Sequence, residues 1–188
     1  MNSVVPVFDS TPFTPPALAA IPVTVNPAVE DLAVEDPGSQ VRAIVRAMRR
    51  LSVGNGKLRS RLANDLGISV VELNALAHVS DAHGLTPKQL AHELHLTTGS
   101  ITTLSDRLES SGFLVRKPNP ADRRSLLLQL TPAGKHAIAW VYEQFAAAVI
   151  TTMTRDGNYA VPGIIEFMET TAHALNKAAE KPQDEPSS

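Results

Sequence analysis

The sequence predicts a mainly α-helical protein carrying one small β-hairpin. Three observations point there. Apolar residues recur at helical spacing through most of 39–111 and 132–178. Ser, Thr, Pro and Gly stand where helices start and stop. The period shortens to that of strands only in two brief runs flanking the loop at 118–124. With 188 residues, 43% hydrophobic and only 4% aromatic, the chain has room for one ordinary domain plus tails.

Residues 1–37 hold seven of the fourteen prolines, scattered without helical period. Proline fixes φ and removes a donor, so this stretch is expected to be extended or disordered, either as an inert tail or as an interaction arm. From Ser39 to about Val53, Val41, Ile44, Val45, Met48 and Leu51 form an amphipathic stripe. Gly54-Asn55-Gly56 is expected to break that helix, which resumes over Lys57–Leu66 with Leu58, Leu62 and Leu66. Ser69-Val-Val-Glu72 is a capping box opening the next helix, which carries Leu73, Leu76 and Val79. Thr86-Pro87-Lys88-Gln89 is a second one, with Pro at the first helical position of a short helix, Pro87–Leu94. After the link His95-Leu96-Thr97, Thr97 or Thr98 caps a helix that runs to Ser111 and stops at Gly112.

Phe113–Lys117 and Ser125–Leu130 read as paired strands around Pro118-Asn119-Pro120-Ala121-Asp122-Arg123-Arg124. Thr131-Pro132 caps a long helix to about Thr154, with Ile138, Val141, Phe145, Ala148 and Val149 on one side. Pro162 opens the last helix, striped by Ile164, Ile165, Met168, Thr171, Ala172 and Leu175. Residues 179–188 form a second loose tail.

A formal net charge of −2 gives no whole-chain sign of a nucleic-acid partner, but the charge is unevenly placed. Residues 1–37 carry a local charge of −5, residues 38–176 carry +4 and the last twelve carry −1. A mildly basic body therefore lies between acidic ends. The absence of cysteine excludes disulfides, cysteine–zinc sites and thiol catalysis. Met1–Pro6 has neither the basic nor the apolar part of a signal peptide. The longest apolar stretch, 137–150, is interrupted by Glu143 and Gln144 and is too short to span a bilayer. The protein is expected to be soluble and cytoplasmic, with no membrane partner.

The informative segment is 86–131: short helix, tight turn, second helix, hairpin with a basic tip. A helix-turn-helix places its second helix in the major groove. In helix 97–111, Ile101, Leu104 and Leu108 share one side and form core, so Thr98, Gly99, Ser100, Thr102, Thr103 and Arg107 face outward. Small hydroxyl donors and one Arg allow close approach to base edges and phosphates. Asp106 shares that outer face and needs a partner, for instance Arg107 or a cytosine amine. At the hairpin tip, Arg123 and Arg124 project from a narrow turn shaped to enter a minor groove, Asp122 orients them or caps local amides, and Arg116 and Lys117 on the first strand are placed to meet phosphate.

In this segment the sequence resembles the MarR family of bacterial winged-helix regulators. The resemblance runs over about 57–135, through Leu85–Ala91, Leu96–Thr102, Asp106–Glu109, Gly112–Arg116, Asp122-Arg123-Arg124 and Leu130-Thr131-Pro132-Ala133-Gly134. It implies a winged helix-turn-helix (67–131) joined to a helical dimerisation region (38–66 and 132–178). It implies an obligate homodimer reading a palindromic double-stranded DNA operator, and release, most often from repression, by a small aromatic or phenolic ligand. It also implies Arg124 as the minor-groove residue, ahead of Arg123. Independently, the apolar stripes outside the reader exceed what the reader can cover, and a two-fold dimer matches half-sites about 10 base pairs apart.

Other constellations carry less. Arg42, Arg46, Arg49, Arg50, Lys57, Arg59 and Arg61 put seven bases into twenty positions with no acid. That pattern is either a solvated face or a surface for phosphate or for the acidic 1–37 segment. His78 and His83 with Glu72 or Asp81 fit no closed zinc signature, so no metal and no cofactor are assigned. Trp140, Tyr142 and Phe145 serve either core and dimer packing or the wall of a ligand cleft. No nucleophile elbow or phosphate-binding loop is present, so an enzyme is not expected. Two rivals remain at this level: a metal-gated regulator of the same fold, and a winged-helix interaction module that binds no DNA.

Overall fold

The structure, a computed structural model, describes residues 37–122, 124–156 and 161–179. The expectations for the two tails therefore lie outside the described residues except at their inner edges, where Pro37 opens a helix and Ala179 closes one. Among the described residues there are six helices and two strands: α1 Pro37–Asp65, α2 Val70–Asp81, α3 Pro87–Glu93, α4 Thr98–Ser110, β1 Leu114–Pro118, β2 Leu126–Leu130, α5 Pro132–Asp156 and α6 Val161–Ala179. They fall into two compact units, up to Gln144 and from Phe145 onward.

The first helix corrects the expected break. α1 runs unbroken through Gly54-Asn55-Gly56, and neither glycine takes a left-handed φ. Each costs about 1 kcal/mol relative to alanine in a helix interior, which is too little to stop it. What carries the helix across is phase. Leu51 and Leu58 are seven residues apart, two turns, so Ile44, Met48, Leu51, Leu58 and Leu62 stay on one face. The C-terminal end of α1 is anchored by Leu62 and Ala63, both buried, and by Arg59 Nη1 donating to Asn74 Oδ1 of α2 at 2.9 Å.

The following starts lie where local chemistry puts them. Ser69 caps α2 and Thr86 caps α3, each in a complete capping box with Glu72 and Gln89. Thr97, not Thr98, caps α4 by accepting from Ser100 N. Helix ends close through left-handed residues, Gly67 and Gly112 after α1 and α4, but His83 and His95 after α2 and α3. A histidine at such a φ costs about 1 kcal/mol more than glycine.

β1 and β2 pair antiparallel, Leu114 opposite Leu130 through Pro118 opposite Leu126. Sequence periodicity missed a third participant. Leu85 exchanges two backbone hydrogen bonds with Leu128, at 2.8 and 3.1 Å, and so ties the hairpin to the α2–α3 link. Leu73, Leu76, Leu90, Ile101, Leu108 and Leu128 are wholly buried and form the centre of this unit.

The hairpin and α5 meet at one close junction. Thr131 N donates to Phe113 O at 3.0 Å, Thr131 Oγ1 donates to Gly112 O at 2.6 Å and accepts from Gly134 N at 3.0 Å. A Cβ at Gly134 would lie 2.2 Å from Phe113 O. Backbone therefore occupies the space of a side chain, and only glycine fits. In the second unit, α6 buries no residue and exposes Ile164, Ile165, Phe167, Met168 and Leu175.

Gly134→Ala is expected to force these backbones apart, at a cost of about 1–3 kcal/mol. Thermal unfolding followed by circular dichroism should show Tm lower by about 2–12 °C for a chain of this size. The buried Ser105 Oγ has no hydrogen-bond partner among the described residues. Ser105→Ala removes an uncompensated hydroxyl and should raise stability by about 1 kcal/mol in the same assay.

Candidate nucleic-acid interface

α4 presents two chemically distinct sides. Ile101, Leu104, Ser105 and Leu108 are buried. Thr98, Gly99, Ser100, Thr102, Thr103 and Arg107 are all exposed, as their spacing predicts. Thr102 and Thr103 turn their hydroxyls back to Thr98 O and Gly99 O, at 3.1 and 3.3 Å, which leaves each oxygen's lone pairs outward. Thr97 Oγ1 and Ser100 Oγ lie 2.9 Å apart at the N-terminus, where the helix dipole and unpaired amides favour an anion.

The hairpin tip is stiffened by its own backbone. Asn119 N donates to Ser125 O at 3.1 Å, and Asn119 Oδ1 accepts from Ala121 N at 3.0 Å. Asp122 Oδ1 accepts from Arg124 N at 3.0 Å, the local amide contact expected of this Asp. Arg124 and Lys117 are exposed. Arg123 lies outside the described residues.

Arg116, expected to meet phosphate, is engaged within the protein. Its guanidinium is clamped by two carboxylates of α4: Nη2 donates to Asp106 Oδ1 at 2.6 Å, and Nη1 donates to Glu109 Oε2. The hydrogen bond to Asp106, exceeding the opposing effect of partial burial, and the charges of Glu109 and Asp106 raise its pKa. The partner of Asp106 is thus Arg116 rather than Arg107. The consequence is mechanical. The clamp fastens β1 to α4 beside the outward face of the helix, and Arg107 takes no part in that bridge.

This arrangement of helix, turn, helix and braced hairpin has close counterparts. A model described as the MarR family matches residues 68–126, from the start of α2 to the second strand. These residues are a MarR-family domain.

An uncharacterised HTH-type transcriptional regulator of Bacillus subtilis, YcgE, is 31% identical over 96 residues, covering 50% of this chain and 62% of the relative. The chain spans less than two thirds of the length of the first curated relatives it matches. Among solved structures, the transcriptional regulator Tm0710 from Thermotoga maritima superposes with a TM-score of 0.58 at 23% identity, over 74% of this chain and 99% of that one. A mutant of S. aureus MepR, bound to an oligodeoxyribonucleotide, superposes with a TM-score of 0.52 at 17% identity, over 73% of this chain and 98% of that one. Those likenesses establish the winged-helix fold beyond the matched segment.

Around the MarR domain, the remaining candidate residues separate. Trp140 is buried in the first unit, while Tyr142, two positions on, is exposed and donates to Asp81 Oδ1 of α2 at 3.0 Å. Phe145 is half-buried and belongs to the second unit. A hollow of about 500 Å³ opens elsewhere, between the α1–α2 link and α4, and is walled by Gly67, Ser69, Glu72, Thr103, Arg107 and Ser111. Glu72 is committed to its capping box, with Ser69 N donating to Oε2 at 2.7 Å. Among the described residues no group of three His, Asp or Glu is placed to hold a metal ion. No described helix is long and apolar enough to cross a membrane.

Two features of this surface were invisible to periodicity. Arg116 reads in sequence as one more strand cation, and only the pairing register reveals that it faces α4. Tyr142 reads as part of an aromatic cluster, but it joins α5 to α2 across 61 positions.

Partial burial, then the bond to Asp81, raise the Tyr142 pKa above 10.0. The folded state thus favours the neutral phenol, and its contribution is complete below pH 10 and fades as pH climbs through the raised value. Urea unfolding of the wild type and Tyr142→Phe should differ at neutral pH and converge once the phenol ionises. A gap that stays constant into strong alkali would show that the phenol–carboxylate bond contributes nothing.

Proposed function

We propose that this chain is a sequence-specific, double-stranded-DNA-binding transcriptional regulator that acts as a cytoplasmic homodimer and represses the genes it binds. The observation that carries the reading is the clamped unit itself. A small-residue helix face and a stiff cationic tip, Arg124, are fixed to one another by Arg116. The face is narrow enough for the major groove, and the tip reaches the neighbouring minor groove. The DNA-bound relative of the same fold lends support. Arg123 joins Arg124 in this proposal on sequence order alone, and Lys117 supplies phosphate contact. Arg116 acts through the wing rather than on phosphate.

Dimerisation is supported by the apolar faces that α1 and α6 leave uncovered, including Val41, Ile44, Leu51, Ile165, Phe167 and Met168. A second copy of the chain would bury them and would set two α4 helices on successive turns of a palindrome. Release by a small aromatic acid or phenol is supported by the hollow beside α4. Arg107 and the Ser69 and Ser111 hydroxyls give it a cation and donors on the same wall that carries the reader. An occupant there competes with DNA for Arg107, or favours a conformation of α4 mismatched to the groove.

Selection of bound duplexes from a random pool, followed by mobility-shift titration, tests the reading. Arg124→Ala should weaken operator binding about tenfold or more at low salt and lower the slope of log affinity against log salt by about two, one for each half-site. Arg116→Gln should weaken it with the slope nearly unchanged, because a loosened wing loses geometry rather than a phosphate contact. A protein that retains no duplex at low salt, or one that sediments as a monomer, would refute the proposal.

A further inference from the structure

The DNA reading uses α4 and the wing and leaves one charged surface unexplained. α1 is two-faced. At 100° per residue Arg42, Arg46, Arg49, Arg50 and Lys57 fall within an arc of about 100°, opposite the stripe of Ile44, Leu51 and Leu58. All five cations are exposed. Among the described residues no carboxylate forms an ion pair with Arg46, Arg49, Arg50 or Lys57, and residues 42–61 include no Asp or Glu. The continuity of α1 through Gly54-Asn55-Gly56 is what brings Lys57 into line with the four arginines, which precede the glycines.

The complementary charge is carried by the same chain. Residues 1–36 contain Asp9, Glu30, Asp31, Glu35 and Asp36 and no Lys or Arg. This segment is joined covalently to the first residue of α1. Extended, its 36 residues reach about 120 Å, whereas the 29 residues of α1 span about 44 Å, so it is long enough to return along the entire face. Tethering gives it an effective concentration on the order of millimolar, an advantage that free polyanions lack. α1 packs on α2, so a duplex read by α4 and the hairpin is not required to touch this surface.

We propose that the acidic segment 1–36 lies back along the Arg46–Lys57 face of α1 as an intrachain counter-ion, competing there with nucleic-acid phosphate. Charge holds it in place, not packing: its prolines prevent a helix and its cationic targets lie on a solvated face. The contact therefore weakens steeply as salt shortens the screening length from about 10 Å at 0.1 M to about 3 Å at 1 M. The inference does not depend on operator binding and can fail while that reading stands.

The chain has no cysteine, so Thr24→Cys gives it a single thiol for a nitroxide. At about 50 mM salt, where screening is weak, the label should broaden the Nε–Hε signals of Arg46, Arg49 and Arg50 several-fold more than the methyl signals of Ile44 and Leu51. The broadening should disappear at about 1 M salt. It should also disappear when Asp9, Glu30, Asp31, Glu35 and Asp36 are replaced by their amides, which leaves the described fold untouched. Equal broadening of both faces, or broadening that survives the five amides, would overturn the proposal. So would arginine signals that ignore the segment and instead shift with a non-operator duplex, since the face would then belong to nucleic acid.

Discussion

The carbonyl of Phe113 sits where α4 ends, β1 begins and α5 starts, and the shape of the helix-and-hairpin unit depends on what surrounds it. It accepts from Thr131 N and lies so close to Gly134 that no side chain fits between them. Phe113 N meanwhile donates to Leu108 O, closing α4. The consequence is geometric. The angle at which the hairpin leaves the helix, and the direction in which α5 departs, are both set by one backbone contact with little room to adjust. Thr131 adds a hydroxyl that bridges Gly112 O and Gly134 N, so donor and acceptor are both satisfied where the chain is most crowded.

Charge then completes what the backbone starts. Two carboxylates left bare on the helix would be a liability for the proposed approach to phosphate. Asp106 and Glu109 are instead both paired with Arg116, whose side chain is three-quarters covered and whose single charge offsets half of theirs. The same bridge ties the hairpin sideways to α4. A two-stranded ribbon is marginal by itself, and here it gains a third partner in Leu85 and a lateral tie through Arg116. Electrostatic compensation and wing rigidity thus come from one side chain.

What the sequence made legible was what local chemistry decides. Ser69, Thr86 and Thr97 cap because their oxygens meet amides three residues on, an interaction complete within one turn. The outward set of α4 follows from helical phase, since burying Ile101, Leu104 and Leu108 leaves the other side no choice. What stayed hidden was what distance in sequence decides. Gly54-Asn55-Gly56 reads as a break when propensity is weighed without asking whether the stripe resumes in register. Leu85 lacks neighbours that alternate, so a two-bond bridge gives no periodic signal. The roles of Arg116 and Tyr142 depend on partners seven to 61 positions away, and a residue type alone cannot reveal them.

The unbroken first helix has one further implication. Spaced between Leu51 and Leu58, Asn55 occupies the position that the apolar seam would otherwise assign to a hydrocarbon. Any helix laid against that seam meets an amide midway along it. A stagger that offers the amide a mate is tolerated, and one that presses it into hydrocarbon is penalised. A polar interruption of this kind sacrifices adhesive strength and gains alignment, so a rod that looks merely flawed at its centre carries a ruler mark.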